Sequence, residues 1–201
     1  MSLPQKPAVT AAPVHELIRD RWSPRAFADK PVPHEALVSV LEAGRWAASS
    51  NNGQPWRWIV ATREDPVGYE AALAGFNARN QRWARTAPVL IFSLARKTFE
   101  ANGNPNAHAW HDAGAANAQI SLQATALGLH THMAAGIERD RLRESFGIPE
   151  DFNICSGIAL GYQGTPDRLP EELPGREVEP RTRKQLGEVV FSNRFGAAFQ
   201  I

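Results

Sequence analysis

The sequence predicts an α+β protein, a small and mostly antiparallel sheet among helices, folded as a single domain over residues 1–201. Two observations carry this expectation. Short apolar runs of strand length, at residues 56–62, 89–94, 130–133 and 152–162, are interspersed with longer stretches whose apolar residues recur every three or four positions. The composition, 43% hydrophobic and 21% charged over 201 residues, is that of a globular chain able to bury one core, with no internal repeat to suggest an array.

Taken in order, residues 14–21 read as a short helix with Val14, Leu17 and Ile18 on one face, broken by Ser23-Pro24. A second helix starts near Pro33, with Leu37, Val40, Leu41 and Gly44 as its apolar side. It ends in the polar stretch 47–55, and a strand follows at 56–62. Pro66 opens another helix, and residues 77–85 form a further one. Residues 89–94 are wholly apolar but for Ser93, which places that strand at the centre of the sheet. The Asn-, Gly- and Pro-rich residues 97–106 read as a loop suited to a lid or a substrate-facing role. Residues 108–127 form the longest helix, whose uncharged, Gly/Ala-rich middle is covered on most sides. A short strand at 130–133 closes in Ala134-Ala135-Gly136. The helix at 139–146 has Gly147 just past its end, and 152–162 is the last core strand. Prolines at 166, 170, 174 and 180 make 164–184 an extended segment. Residues 186–191 are apolar again, so the arm 164–201 is expected to dock, as such arms do on partner chains. The proline-interrupted residues 1–12 are expected to be flexible.

A net charge of +1 gives no global field toward nucleic acid or a membrane. The longest uncharged run, between Asp112 and Glu138, holds Asn117, Gln119, Gln123, His130 and His132, too polar for a membrane span. The N-terminus lacks the charged start and apolar core of a signal peptide, and Cys155 is the one cysteine, so the expected location is cytoplasmic. Among apolar neighbours Cys155 reads as a buried structural thiol. Six tryptophans suit a large interface or a flat aromatic ligand. There is no G-x-G-x-x-G after a strand, no P-loop, no H-E-x-x-H and no C-x-x-C. His108 and His111, at helical spacing beside Asp112, lack a third ligand and read as surface residues; His130 and His132 share one face of a strand and read as structural.

Three polar clusters remain. Arg21-Trp22-Ser23-Pro24-Arg25 puts two guanidinium groups and a hydroxyl in one loop, donors suited to phosphate oxygens, though a solvated loop would carry the same charges. Ser49-Ser50-Asn51-Asn52-Gly53-Gln54 offers amide donors and acceptors such as a heterocycle edge requires; a helix-ending turn accounts for some of these residues. Arg181-Thr182-Arg183-Lys184 either closes on a phosphate or is a solvated charge run.

These clusters, with Ala47-Ala48 before the second one, Gln54-Pro55-Trp56, Ala87-Pro88-Val89-Leu90-Ile91, Ala126-Leu127-Gly128-Leu129 and Gly161-Tyr162, resemble the nitroreductase family in order and spacing along nearly the whole chain. The resemblance implies an intertwined homodimer holding FMN at its interface. It implies hydride transfer from NADH or NADPH to flavin N5 and on to a small-molecule oxidant such as a quinone, nitroarene or activated alkene. It places the phosphate loop on Arg21, Trp22, Ser23 and Arg25, and the contacts from the second subunit on Ser49, Ser50, Asn52 and Gln54. The flavin edge and ribityl fall to Asn80 and Arg82, the backbone N–H at N5 to Ala135 or Gly136, and the basic tail contacts to Arg181 and Arg183. No residue is assigned a catalytic side-chain role. Trp22 stands where a basic residue is common, and Ala48 and Gln185 where proline is common. Two alternatives within the resemblance are another flavin reaction on the same fold, dehalogenation or flavin fragmentation, and a flavin-binding module without catalysis.

Overall fold

The computed structural model describes residues 2–200; Met1 and Ile201, the outermost residues of the two expected arms, lie outside the described residues. Four strands form one antiparallel sheet in the order β1-β2-β4-β3: β1 Trp56–Thr62, β2 Val89–Arg96, β3 His130–Ala134 and β4 Phe152–Gly161. The helices are α1 Glu16–Asp20, α2 His34–Arg45, α3 Pro66–Ala74, α4 Ala78–Ala84, α5 Ala109–Ala126, α6 Arg139–Phe146 and α7 Pro174–Val178. The expected α+β architecture and the central position of β2 hold. No described helix is long and apolar enough to cross a membrane.

Alternation along β2 builds two cores, because successive side chains point to opposite faces. Leu90, Phe92 and Leu94 pack with Leu73, Phe76, Trp83 and Leu142 of α3, the loop after it, α4 and α6. Val89 and Ile91 pack with Leu37 and Val40 of α2 and Ile120 and Ala124 of α5. The register slips between Ser93 and Leu94, opposite Ser156 and Ile154, so Cys155 is the extra residue of a bulge in β4. The slip re-aims the strand, and Ile154 joins the first core while Ile158 joins the second. Helix α2 lies close on α5, for a Cβ on Gly44 would sit 2.7 Å from Ile120 Cγ1. Gly147 ends α6 in the left-handed conformation, as its position after the helix predicts.

The ends of the chain differ from expectation. Helix α1 buries nothing, and Val14 and Ile18 remain exposed. Residues 164–201 are not extended throughout. Pro166 and Pro174 each sit in the first turn of a short helix, where a missing N–H costs nothing, and Leu169, Leu173 and Glu177 are buried. Only from residue 179 onward is the arm largely exposed, ending with Phe195 almost bare. The N-terminal segment is tied down. Pro4 O accepts from Gln163, Lys6 Nζ donates to Glu177 O, and Ala8 N donates to Arg19 O.

Candidate functional site

The loop after α1 gathers cations. Arg21 caps that helix through its backbone N–H to Leu17 O and donates Nη1 to Ser23 Oγ at 3.2 Å. Burial, and then Arg181 and Arg183, push the Arg21 guanidinium below its ordinary value, so the tail returns to this loop. Arg181 is held there by Lys6 O at 2.7 Å and Arg19 O at 3.0 Å. Asp20 acts on Arg181 but is itself gripped by Arg19 at 2.7 Å. The Arg25 guanidinium makes no hydrogen bond among the described residues, although its backbone is firmly held: Arg25 N and Ala26 N both donate to the buried carboxylate of Glu177. Trp22 is buried, with Lys6 Nζ 4.7 Å from its ring centre and His130 edge-on at 6.1 Å. With Asp20 engaged by Arg19 and the Glu177 carboxylate engaged by backbone N–H groups, these cations keep guanidinium donors to spare, an arrangement that a phosphate dianion would relieve.

A chain of contacts leads from this loop along β3. His132 Nδ1 lies 3.0 Å from both Ser23 O and Pro24 O; carbonyls only accept, so this nitrogen carries the proton. Burial first, and then Arg25, lower the His132 pKa to about 4, so the ring is neutral at neutral pH. Its ring lies 4.3 Å from that of Trp83, whose Nε1 donates to Asn80 Oδ1 at 3.1 Å. Asn80 Nδ2 in turn donates to Gly136 O at 3.0 Å, as does Asn77 N. A side chain on Gly136 would force Asn77 and Asn80 to move, because a Cβ would fall 2.5 Å and 2.6 Å from their side-chain amide nitrogens. Ser23, Asn80 and Gly136 are therefore linked by one chain of contacts, with Ala135 exposed at its end. His130 Nδ1 is buried without a partner among the described residues, and burial and Arg21 lower its pKa.

Arg82 does not join this site. It pairs with Glu172 on the outer surface. Residues two apart on a helix lie about 200° around its axis, so Asn80 and Arg82 cannot share a face. Asn77, three residues before Asn80 and the N-cap of α4, stands beside Gly136 instead. That spacing was available in the sequence. Lys6, His132 and Glu177 were not singled out as site residues, and Glu177 lies 152 positions from Arg25, beyond any local pattern.

Ser49, Ser50, Asn52 and Gln54 lie elsewhere. Their loop feeds β1, at the opposite edge of the sheet from β3, about three strand spacings or roughly 14 Å across. Ser50 N donates to Asp112 Oδ2 at 3.0 Å and Gln54 N to Ser49 Oγ at 3.0 Å. Asn51, Asn52 and Gln54 all have positive φ, at 52°, 52° and 44°. Three such residues in four positions store strain of the kind found at ligand clamps. Phe99 packs on Gly53, and the 97–106 loop and this loop together line a cavity of about 810 Å³. Cys155 is half-buried, and burial raises its thiol to about 11, so it is no nucleophile at neutral pH.

Comparison with known proteins agrees with the architecture. The nitroreductase family model matches residues 18–83 and 66–162. A 15.4 kDa protein of Mycolicibacterium smegmatis, from the ask 5' region, is 34% identical over 146 residues, covering 70% of this chain and 97% of its own. The 4-nitrobenzoate reductase of a Nocardioides species is 27% identical, over 80% of this chain and 85% of that protein. A crystal structure of an oxidoreductase containing FMN superposes with a TM-score of 0.88 at 38% identity, covering 94% of this chain and 96% of the other. The chain belongs to the nitroreductase family.

Proposed function

We propose that the protein is an FMN-dependent NAD(P)H oxidoreductase that works as a homodimer and reduces quinones, nitroaromatics or activated alkenes. The observation that carries this reading is the cluster of Arg21, Arg25, Arg181 and Arg183, joined through His132, Trp83 and Asn80 to the turn at Ala135-Gly136. Its donors fit the group: guanidinium and hydroxyl for a phosphate at one end, a side-chain amide and a backbone turn for a heterocycle at the other. Arg21, Ser23, Arg25, Arg181 and Arg183 would bind the phosphate. Trp22 would back that loop, and Asn80 and Ala135-Gly136 would meet the ring. When bound, FMN supplies redox chemistry that no side chain here can perform. The nicotinamide donor and the oxidant would use one place in turn, a ping-pong order that needs no side-chain acid.

Within one chain the 49–54 loop and the 21–25 loop lie at opposite edges of the sheet, so the amides of the first are offered to the site of a second copy. Two tryptophans are exposed, Trp46 at the end of α2 just before the 49–54 loop and Trp110 near the start of α5, which supports an interface on this side. The bare apolar residues of the arm, Val189, Phe195 and Phe199, support the same reading. The test is a visible spectrum of the purified protein, chromatography of the heat-released chromophore, and quinone-dependent consumption of NADH and NADPH. FAD as the chromophore, or no flavin even after reconstitution, refutes the cofactor. Bound FMN without turnover refutes the activity.

A further inference from the structure

Glu177 is 1% exposed, on the five-residue helix α7. A buried carboxylate is costly unless it is fully hydrogen-bonded, and leucine would fill the space beside Leu169 and Leu173 as well. Its hydrogen bonds show what it does instead. Oε1 accepts from Arg25 N at 2.9 Å and from Ala26 N at 3.0 Å, and Oε2 accepts from Arg25 N at 3.0 Å. The backbone carbonyl of the same residue accepts Lys6 Nζ at 3.1 Å. Four residues later the chain delivers Arg181 to the carbonyls of Lys6 and Arg19, and Arg181 and Arg183 both come within electrostatic reach of Arg21. One residue thus pins the backbone of the 21–25 loop, the N-terminal segment, and the root of the arm that supplies the remaining cations.

We propose that Glu177 is a positioning residue that holds the two halves of the anion site in register, the loop cations Arg21 and Arg25 and the arm cations Arg181 and Arg183. With its backbone N–H taken by Glu177, the Arg25 loop is fixed while its guanidinium stays free for ligand. The carboxylate itself is turned into the fold against N–H groups, so it holds the site without occupying it. The inference rests on reading this cluster as the phosphate site of a flavin nucleotide.

The test compares FMN with riboflavin, which lacks the phosphate, on the dimer as purified and stripped of flavin. Glu177→Ala should weaken FMN at least tenfold while changing riboflavin less than threefold, with kcat at saturating FMN retained. Glu177→Gln, which keeps one acceptor oxygen at the Oε1 position, should recover most of the loss. If Glu177→Ala does not fold, Glu177→Asp, whose carboxylate is drawn back by one methylene, carries the same FMN-to-riboflavin comparison. Equal weakening of both ligands, or of neither, overturns the proposal. Inorganic phosphate supplies a readout independent of flavin: it should raise the melting temperature of the wild type and not that of Glu177→Ala. Wild-type protein that responds to phosphate but does not favour FMN over riboflavin would refute the flavin reading and leave the Glu177 role standing. Wild-type protein that responds to neither overturns the role as well.

Discussion

His132 links the fold to the phosphate loop through a single proton, and that proton makes a quantitative demand on stability. The ring is packed against Trp83, and its Nδ1–H serves the Ser23 and Pro24 carbonyls. Burial, then Arg25, lower its pKa from 6.5 to about 4; the two carbonyls pull the other way and lose. In the unfolded chain the ring protonates near its ordinary value. Between pH 6.5 and about 4 the unfolded state therefore binds the extra proton, and stability falls as pH falls. The contribution is whole above about pH 6.5 and spent below about pH 4. At 1.36 kcal/mol per unit, a shift of this size corresponds to about 3 kcal/mol.

The assay is urea unfolding at fixed protein concentration, at pH 7.5 and pH 4, for wild type and His132→Gln. Glutamine offers an amide donor in place of the ring N–H but does not titrate. His130 shifts in the same direction, because of burial and Arg21, so the comparison of the two proteins isolates His132 where the wild-type curve alone does not. The variant is expected to lose about 3 kcal/mol less than the wild type between the two pH values. Equal losses, or a wild type that gains stability on acidification, would refute the reasoning.

Arg25→Ala should weaken FMN by about 1.5–3 kcal/mol, the scale of a charge-assisted hydrogen bond, and riboflavin far less; equal losses move Arg25 out of the phosphate site. Cys155, its thiol raised to about 11, should resist iodoacetamide at pH 7.5 in the native protein, and Cys155→Ala should keep NAD(P)H-dependent quinone reduction; rapid alkylation or lost turnover with flavin bound contradicts this. If the site is shared between two chains, Arg25→Glu and a Ser50→Ala, Asn52→Asp double variant should each be flavin-poor as homodimers. Their co-purified heterodimer should recover one intact site of two, since both lesions then fall on the other, and a heterodimer without FMN rules out the sharing.

Contiguous patterns were legible in the chain. The apolar run Val89–Phe92 of β2, the helical spacing of Leu37, Val40 and Gly44, and Gly147 after α6 all express a period or a turn chemistry that few residues suffice to specify. What escaped was set by packing between distant segments. The bulge at Cys155 depends on how β4 meets β2, and its own residues read as an unbroken strand. The short helices at Pro166 and Pro174 form because Leu169 and Leu173 find a core to dock on, which a proline count cannot reveal. Arg82 was misplaced for a simpler reason: its angular position on α4 excludes it from the face that Asn80 occupies.

The candidate site shows the same division more sharply. Its cations come from three stretches, Lys6, the 21–25 loop, and Arg181 with Arg183, with Glu177 as their anchor, and no two of these stretches need each other for local structure. Each stretch alone is indistinguishable from a solvated charge run, since surface arginines cost little and contribute little. They become a site only because a buried carboxylate and a neutral histidine fix the backbone between them, at a cost that packing alone would not demand. The 49–54 loop carries the complementary signal: three residues at positive φ, held by Asp112 and Ser49, on the far edge of the sheet from the cations they would serve. If two copies face one another across a bound flavin nucleotide, as proposed, the strained loop of one copy would meet the cation cluster of the other, and the heterodimer experiment above decides whether they do.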